Sequence, residues 1–372
     1  FRLPSEEEVR LEEEVAPDLP KVHQRIQDVV AVLKDFRRMG DPLRSRSEYK
    51  ERLSKDVQHY YGYNEDLATL FLDLFDPSEA YDFFEANERP RPLVIRTNVL
   101  KTRRRDLAKA LTQRGVHVEP VGDWSKVALV VFDSPVPIGA TPEYLTGQYF
   151  IQAPSSMQPV LALNPRPGER VLDMCASPGG KATYIAELMR NSGVLVANDV
   201  NKSRIASLKG NIARLGISNT IVTNCDGREF PRLAGGFDRV LLDAPCTGLG
   251  VIAKDPLIKS TKTMADVYKM RDMQRKLILA AFDSINPDSK SGGILVYATC
   301  SVAVEENEAV VNYLLQRRHA EIEPVAPPNS PQDFGSPGLT AYSSYRFHPS
   351  LKLTRRFYPH LHTQDGFFVA RI

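Results

Sequence analysis

Two cysteines close apolar, strand-like runs in this chain. Cys246 ends "FDRVLLDAPC" within the run to Gly248, and Cys300 ends "GGILVYATC", after which a patch rich in Glu and Val follows ("SVAVEENEAVV"). In an open α/β sheet, ligands bind at the carboxyl ends of the strands. A thiol placed there is a nucleophile where its thiolate is favoured; otherwise it is a small buried hydrophobe. Neighbouring strands lie about 4.8 Å apart. If these two runs are neighbours, both thiols face the mouth of one pocket, and accident becomes a poor account of the pair. Asp243 stands three residues before Cys246. It is placed to accept from the exocyclic amine of cytosine, or else to organise the loop that Pro245 stiffens. Residue chemistry does not rank the two cysteines.

A second constellation surrounds "LDMCASPGGKAT" (Leu172 to Thr183). It follows a strand-like run and opens a helical one. Gly179 and Gly180 allow a tight turn and close approach of a ligand. The spacing is neither a Walker A loop nor GxGxxG, so a triphosphate or pyrophosphate is a poor guess. The competing reading is a plain strand-to-helix turn. Asp199 ends the next strand-like run about 20 residues on. It is placed to accept from ribose hydroxyls, or to cap the following helix. Asp226, in "NCDG", either reaches an adenine amino group or starts a turn. A glycine turn with two acids and no phosphate clamp fits a nucleoside ligand such as S-adenosylmethionine.

The elements that must position these groups follow from the periodicity. From Arg170 onward, strands and helices alternate at the spacing of a mostly parallel sheet covered by helices on both faces. "RPLVIRTN", "KTRRRDLAKALTQRG", "VHVEPV" and "VALVVF" suggest a small ferredoxin-like or RRM-like β-α-β-β unit. It lacks an aromatic RNP1 signature. Arg96, Lys101, Arg103, Arg104 and Arg105 either track phosphates or form a solvated helix start. Residues 1–90 read as helical, with Val22, Ile26, Val29, Val30, Leu33 and Phe36 forming an apolar stripe that stops at Gly40. Residues 3–18 read as an acidic, solvated helix or arm. Residues 324–338, rich in proline, read as an irregular connection. The expected divisions are 1–90, 91–150 and 151–372.

Composition constrains the rest. The chain has 372 residues, 42% hydrophobic and 25% charged, with net charge +2. That balance neither requires nor excludes nucleic acid. No apolar stretch approaches the roughly 20 residues of a membrane span. The four cysteines form no CxxC pair or zinc-like cluster, so free thiols in a reducing compartment and no metal are expected. The chain begins on Phe1, not Met, and reads as a fragment.

Five motifs in order ("GQYFIQAPSSM", "LDMCASPGGK", "NCDG", "LLDAPCTG" and "YATCS") make residues 90–372 resemble the NOP-SUN family of RNA cytosine-5 methyltransferases. "GGFDRVLLDAPCTGLGVIAKDP", "CSVAVEENEAVV" and "FHPSLKLTRRFYPH" look most like its eukaryotic nucleolar branch, which acts on large-subunit ribosomal RNA. "DAPCTGLG" stands where "DAPCSGTG" is usual and "CASPGGK" where "CAAPGGK" is usual; neither removes a reactive group. The resemblance implies a Rossmann-like class I methyltransferase domain after the small α+β unit. It implies S-adenosylmethionine as cofactor, held by Cys175, Ala176, Ser177, Pro178, Gly179, Gly180, Lys181, Asp199, Arg204, Asp226 and Asp243. Asp243 and Lys181 would also face the target base. Cys300 would be the nucleophile and Cys246 would help release the product. Ribosomal RNA, pre-ribosomal particles and assembly proteins are the implied partners, in the nucleolus and without a membrane. An RNA-bound assembly factor whose methylation is dispensable is the alternative, but a scaffold needs none of Cys246, Cys300 and Asp243. A DNA cytosine methyltransferase would leave the Thr-Cys-Ser motif unexplained.

Overall fold

The computed structural model describes residues 1–4, 7–8, 18–291, 293–325 and 334–372. Most of the acidic stretch in 3–18, Gly292, and 326–333 of the proline-rich connection lie outside the described residues. The described chain divides into two compact units: Phe1–Pro90 with Ile252–Val267, and Arg91–Val251 with Tyr268–Ile372.

The first unit is helical. Helix α1 (Leu19–Lys34) starts on the Asp18 cap and buries Val22, Ile26, Val29, Val30 and Leu33, the stripe expected from spacing. The stripe does not continue to Gly40. The helix breaks at Asp35, and Phe36 lies in a separate short turn with no buried residue. Helix α2 (Arg46–Tyr61) opens on a capping box of Ser45 and Glu48 and ends at Gly62, whose φ is 77°. Buried Arg25 of α1 makes two 2.8 Å bonds to Asp56 of α2. Helices α3 (Glu65–Leu74) and α4 (Pro77–Asn87) complete the bundle. Ile252–Val267 joins it for a physical reason. The Lys259 ammonium donates to the Tyr61 carbonyl at 3.0 Å and pairs with Glu88. The Lys259 carbonyl in turn accepts from the Asn64 N–H at 2.9 Å. A single domain over 151–372 did not anticipate this exchange.

The second unit holds two sheets. The smaller is antiparallel, in the order β2-β3-β1-β4, from β1 (Leu93–Thr97), β2 (His117–Pro120), β3 (Ala128–Asp133) and β4 (Tyr149–Ile151). Helix α5 (Arg104–Gln113) packs Leu107 and Leu111 against Ile95 and Leu129. The fourth strand comes from "GQYFIQ", beyond the expected β-α-β-β run.

The larger sheet contains, among the described residues, β5 (Arg170–Asp173), β6 (Val194–Asn198), β7 (Thr220–Thr223), β8 (Arg239–Asp243), β9 (Ile294–Thr299), β10 (Ser336–Pro337), β13 (Arg355–Phe357) and β14 (Phe367–Arg371). A separate hairpin pairs β11 (Ala341–Tyr342) with β12 (Tyr345–Arg346). The order is β10-β13-β14-β9-β8-β5-β6-β7. Strands β5 to β9 are parallel, and β14 joins β9 antiparallel. Successive side chains on a strand point to opposite faces. Val171, Leu195 and Leu241 face a core with Met157 and Val160 of α6 (Pro154–Leu163) and Ile185 of α7 (Gly180–Leu188). Leu172, Val196 and Val240 face another, with Ile278 of α9 (Met264–Asp283) and Val311 of α10 (Glu308–Leu315). Helix α8 (Lys202–Leu215) adds Leu208 to the first core. Both faces being covered explains why these strands read as unbroken apolar runs. Strand order reverses beside β5, the switch point where α/β sheets bind ligands.

Arg96 corrects one expectation. It is fully buried and tracks no phosphate. From β1 it donates to Thr183 Oγ1 at 2.9 Å and Glu187 Oε1 at 2.8 Å on α7, with its guanidinium 4.7 Å from the Tyr184 ring centroid. Lys101 is also taken, by the carbonyls of Thr146 and Arg214. Arg103 and Arg105 stay exposed. Removing one partner of a buried ion pair strands the other charge, at a cost of about 3–5 kcal/mol. Arg96→Ala therefore lowers the unfolding free energy by that amount in urea titration.

Candidate active site

Strands β8 and β9 run parallel, with Asp243 opposite Ala298. The chain beyond each strand then turns over the sheet edge, and the Cys246 and Cys300 sulfurs lie 3.0 Å apart. The Cys300 peptide is held at close range. Its carbonyl accepts from the Gly250 N–H at 2.8 Å, and the Gly250 carbonyl accepts from the Gly366 N–H at 2.8 Å. A Cβ on Gly250 would fall 2.0 Å from the Gly366 oxygen and 2.8 Å from the Cys300 oxygen, so this approach requires glycine.

The surroundings of Cys246 oppose its ionisation. Its hydrogen bond with Cys300, reinforced by burial, pushes the Cys246 thiol well above the usual range. Cys246 thus keeps its proton, and the two thiols share a hydrogen bond in which either sulfur can donate. Burial, with Asp173, Asp243 and Asp199 nearby, also raises the Cys175 thiol. Burial raises Cys225, whose thiol donates to Asn198 Oδ1 at 3.2 Å. Neither suits a nucleophile, because the thiolate is the reactive form.

Lys181, in the first turn of α7, reaches this mouth. Its ammonium lies 2.7 Å from Asp243 Oδ2, donates to Ser156 Oγ at 2.8 Å, and sits 5.4 Å from the Phe367 ring centroid. The structure thus brings together Cys246 with Cys300, and Lys181 with Asp243. Ser156 and Phe367 were missed by the sequence reading.

The glycine loop is fixed by its neighbours. Gly179 has φ 108° and caps α7; a Cβ on Gly180 would meet Phe150 at 3.0 Å. The Ser177 N–H donates to Asp199 Oδ2 at 3.2 Å, and the Asn201 N–H donates to Asp199 Oδ1 at 2.8 Å. Arg204 stands 3.6 Å from Asp199 and donates to the Ser177 carbonyl. Asn201 is the cap of α8, so Asp199 is free of that role. The Ala176 N–H donates to the Asn198 carbonyl at 2.7 Å, and the Pro178 carbonyl accepts from Asn211 at 2.9 Å. Asp226 meets none of these groups. It starts a short turn, and the Arg228 guanidinium beside it holds its carboxyl below the usual range.

Asp173, at the end of β5, was also missed. It is fully buried, and neither carboxylate oxygen has a hydrogen-bond partner of normal geometry; the Cys175 N–H pulls on it only weakly. Burial and then the Asp243 charge push its carboxyl up to about 8, against the pull of Lys181. The folded state therefore holds a proton that the unfolded chain releases near its ordinary value of about 4. Stability falls as pH rises between those values, and is level above them. Asp173→Asn removes this slope: the urea midpoint of the wild type drops from about pH 5 to about pH 8 relative to the variant. Equal slopes in both proteins would contradict the assignment.

Comparisons with known proteins identify the family. A model of the 16S rRNA methyltransferase RsmB/F family matches residues 160–372, and one of the RsmF/B-like ferredoxin-like domain matches residues 75–139. The human 28S rRNA (cytosine(4447)-C(5))-methyltransferase is 56% identical over 356 residues, covering 96% of this chain and 43% of its own length. The Pyrococcus abyssi tRNA (cytosine(49)-C(5))-methyltransferase is 35% identical, covering 87% of this chain and 98% of its own. The crystal structure of a methyltransferase homolog from Pyrococcus horikoshii superposes with a TM-score of 0.75 at 37% identity, covering 86% of this chain and 97% of that one. The chain spans about half the length of the first curated relatives it matches. With both family models matched in order along its ferredoxin-like unit and its parallel sheet, the chain belongs to the RsmB/F family of methyltransferases.

Proposed function

We propose that this protein methylates C5 of a cytosine in large-subunit ribosomal RNA, using S-adenosylmethionine and a covalent bond between Cys300 and C6. The observation that carries the reading is the 3.0 Å sulfur pair, set beside the Lys181–Asp243 ion pair at the carboxyl edge of the sheet. The names of the human and other eukaryotic relatives support ribosomal RNA as substrate.

The residues fit the cofactor. Asp173 offers a buried carboxyl with neither oxygen hydrogen-bonded, and a cationic methionyl amine placed beside it would favour its ionised form. Asp199, fixed by Ser177 and Asn201, keeps lone pairs for ribose hydroxyls. The glycine turn leaves room for close approach, and Arg204 steadies its backbone. When bound there, S-adenosylmethionine supplies an electrophilic methyl group. Asp226 is better read as a turn residue, with its carboxylate held by Arg228.

Cytosine C5 is a weak nucleophile. The Cys300 thiolate adds to C6, and the electron pair of the 5,6 double bond becomes available at C5. Charge that develops on the ring toward N3 is stabilised by a donor at that edge; Lys181 and Asp243 face it, Asp243 accepting from the exocyclic amine. After C5 carries its new methyl group, a base takes the C5 proton, the C5–H electron pair restores the 5,6 double bond, and Cys300 leaves C6 as a thiolate to which a neighbouring thiol can donate. Cys246, which keeps its proton beside the Cys300 sulfur, serves this release. The base must leave any stack to enter the site.

The reading extends to pre-ribosomal particles and assembly proteins as partners, and to the nucleolus as location. The test is transfer from labelled S-adenosylmethionine to large-subunit ribosomal RNA, free and within precursor particles. 5-Methylcytidine in nuclease digests is expected. Binding of both RNA and cofactor with no 5-methylcytidine in either substrate would favour an assembly factor instead.

A further inference from the structure

Buried acids after Cys300 have no part in the chemistry above. Glu308 is taken up by Arg356, which is fully buried with it. Glu306 is different, because its carboxylate reaches both cysteine loops. One oxygen accepts from the Thr247 N–H at 2.9 Å and from Gln274 Nε2 at 3.0 Å. The other accepts from the Thr247 and Ser301 hydroxyls. Thr247 follows Cys246, and Ser301 follows Cys300. Gln274 also donates to the Pro245 carbonyl at 2.8 Å, just before Cys246.

The hub is itself held. The Glu306 carbonyl accepts from the Tyr297 hydroxyl at 2.6 Å. Asn307 accepts from Thr299 Oγ1 at 2.6 Å and donates to the Ser301 carbonyl at 2.9 Å. Glu306, Asn307, Thr299 and Ser301 are all fully buried. A buried carboxylate is expensive unless it is hydrogen-bonded, and its two oxygens offer about four acceptor sites. Here four donors fill them, drawn from Thr247, Ser301 and Gln274. Aspartate is one carbon shorter, whereas glutamine keeps the length and turns one acceptor oxygen into a donor.

We propose that Glu306 is a positioning residue: it ties Thr247 to Ser301 and so holds the Cys246 and Cys300 sulfurs in contact, without itself touching substrate. The inference rests on the reading that these cysteines carry methyl transfer, but sulfur contact can be measured without RNA. Diamide takes two hydrogens from a pair of adjacent thiols and leaves a disulfide. The rate of Cys246–Cys300 closure, identified by peptide mapping, therefore reports their contact. The second readout is single-turnover attachment to ribosomal RNA, with the cofactor KM measured alongside.

Glu306→Ala is expected to slow closure and attachment by about 10²-fold, the order that a 1 Å misplacement costs, with cofactor KM unchanged. Glu306→Gln restores most of both rates, because its oxygen keeps the Thr247 N–H and Gln274 donors and its amide NH2 donates to the Thr247 and Ser301 hydroxyl oxygens. If Glu306→Ala does not fold, Thr247→Val combined with Ser301→Ala cuts the two hydroxyl arms and is expected to slow closure as well. Closure at the wild-type rate in a folded Glu306→Ala protein, or in that double variant, overturns the proposal. Slowed closure together with a wild type that never attaches to RNA or methylates it upholds Glu306 and removes the functional reading.

Discussion

Cys300→Ala abolishes both methyl transfer and denaturation-resistant attachment to RNA, while Cys246→Ala retains the attachment and lets it accumulate. The asymmetry follows from the roles proposed for the two thiols, Cys300 bonding to C6 and Cys246 serving release. The two sulfurs are 3.0 Å apart, and Cys246 keeps its proton because its hydrogen bond to Cys300 and its burial oppose ionisation. Removing the group that forms the covalent bond is expected to lower turnover on the order of 10⁴- to 10⁶-fold. Removing a proton-handling partner costs about 10²- to 10⁴-fold, and the loss falls on release rather than on addition. Labelled S-adenosylmethionine and denaturing gels of protein with RNA read both quantities in one reaction. Exchange of the two behaviours would reverse the roles given to the cysteines.

Lys181→Met is expected to lower turnover by about 10²- to 10³-fold, the range for losing one preorganised donor, while RNA binding changes little. The ammonium does two things at this site. It lies 2.7 Å from Asp243 and is fixed by Ser156 at 2.8 Å, so it orients the carboxylate that the proposed mechanism turns toward the base. It also favours the ionised form of Asp173, against burial and the Asp243 charge. Methionine keeps the contact with Phe367 and loses only the charge and its donors. The expected signature is a drop in kcat with RNA affinity nearly constant. A variant that instead loses RNA affinity in proportion, with kcat intact, would make Lys181 a phosphate contact.

The parallel sheet was legible because its strands are covered on both faces. Val171 and Leu172, or Val240 and Leu241, feed opposite cores and leave an unbroken apolar run. The cysteine pair was legible for a related reason: adjacent strands in register bring their ends together, as Asp243 and Ala298 do. Arg96 was not legible. Its partner Glu187 lies 91 positions away, and an arginine in a basic stretch looks like a phosphate contact until its burial is known. Glu306 was hidden in the same way. Nothing in "EENE" marks which glutamate is buried, and the Thr247 donors that satisfy the second of them lie 59 positions earlier. Phe36 kept the helical spacing of α1, but spacing does not reveal the break at Asp35. The exchange of Ile252–Val267 into the helical unit depends on Lys259 finding Tyr61 and Glu88, which no local pattern encodes.

The most direct test of the account is to map the protein–RNA bond itself. Large-subunit ribosomal RNA carrying 5-fluorocytidine has no C5 proton to lose, so an enzyme that adds through C6 and methylates C5 is held as a stable adduct. Digestion and mass spectrometry of that adduct are predicted to find the nucleotide on the peptide containing Cys300, with Cys246 still a free thiol. A nucleotide on Cys246, or no adduct in RNA that the protein binds with its cofactor, would contradict the account.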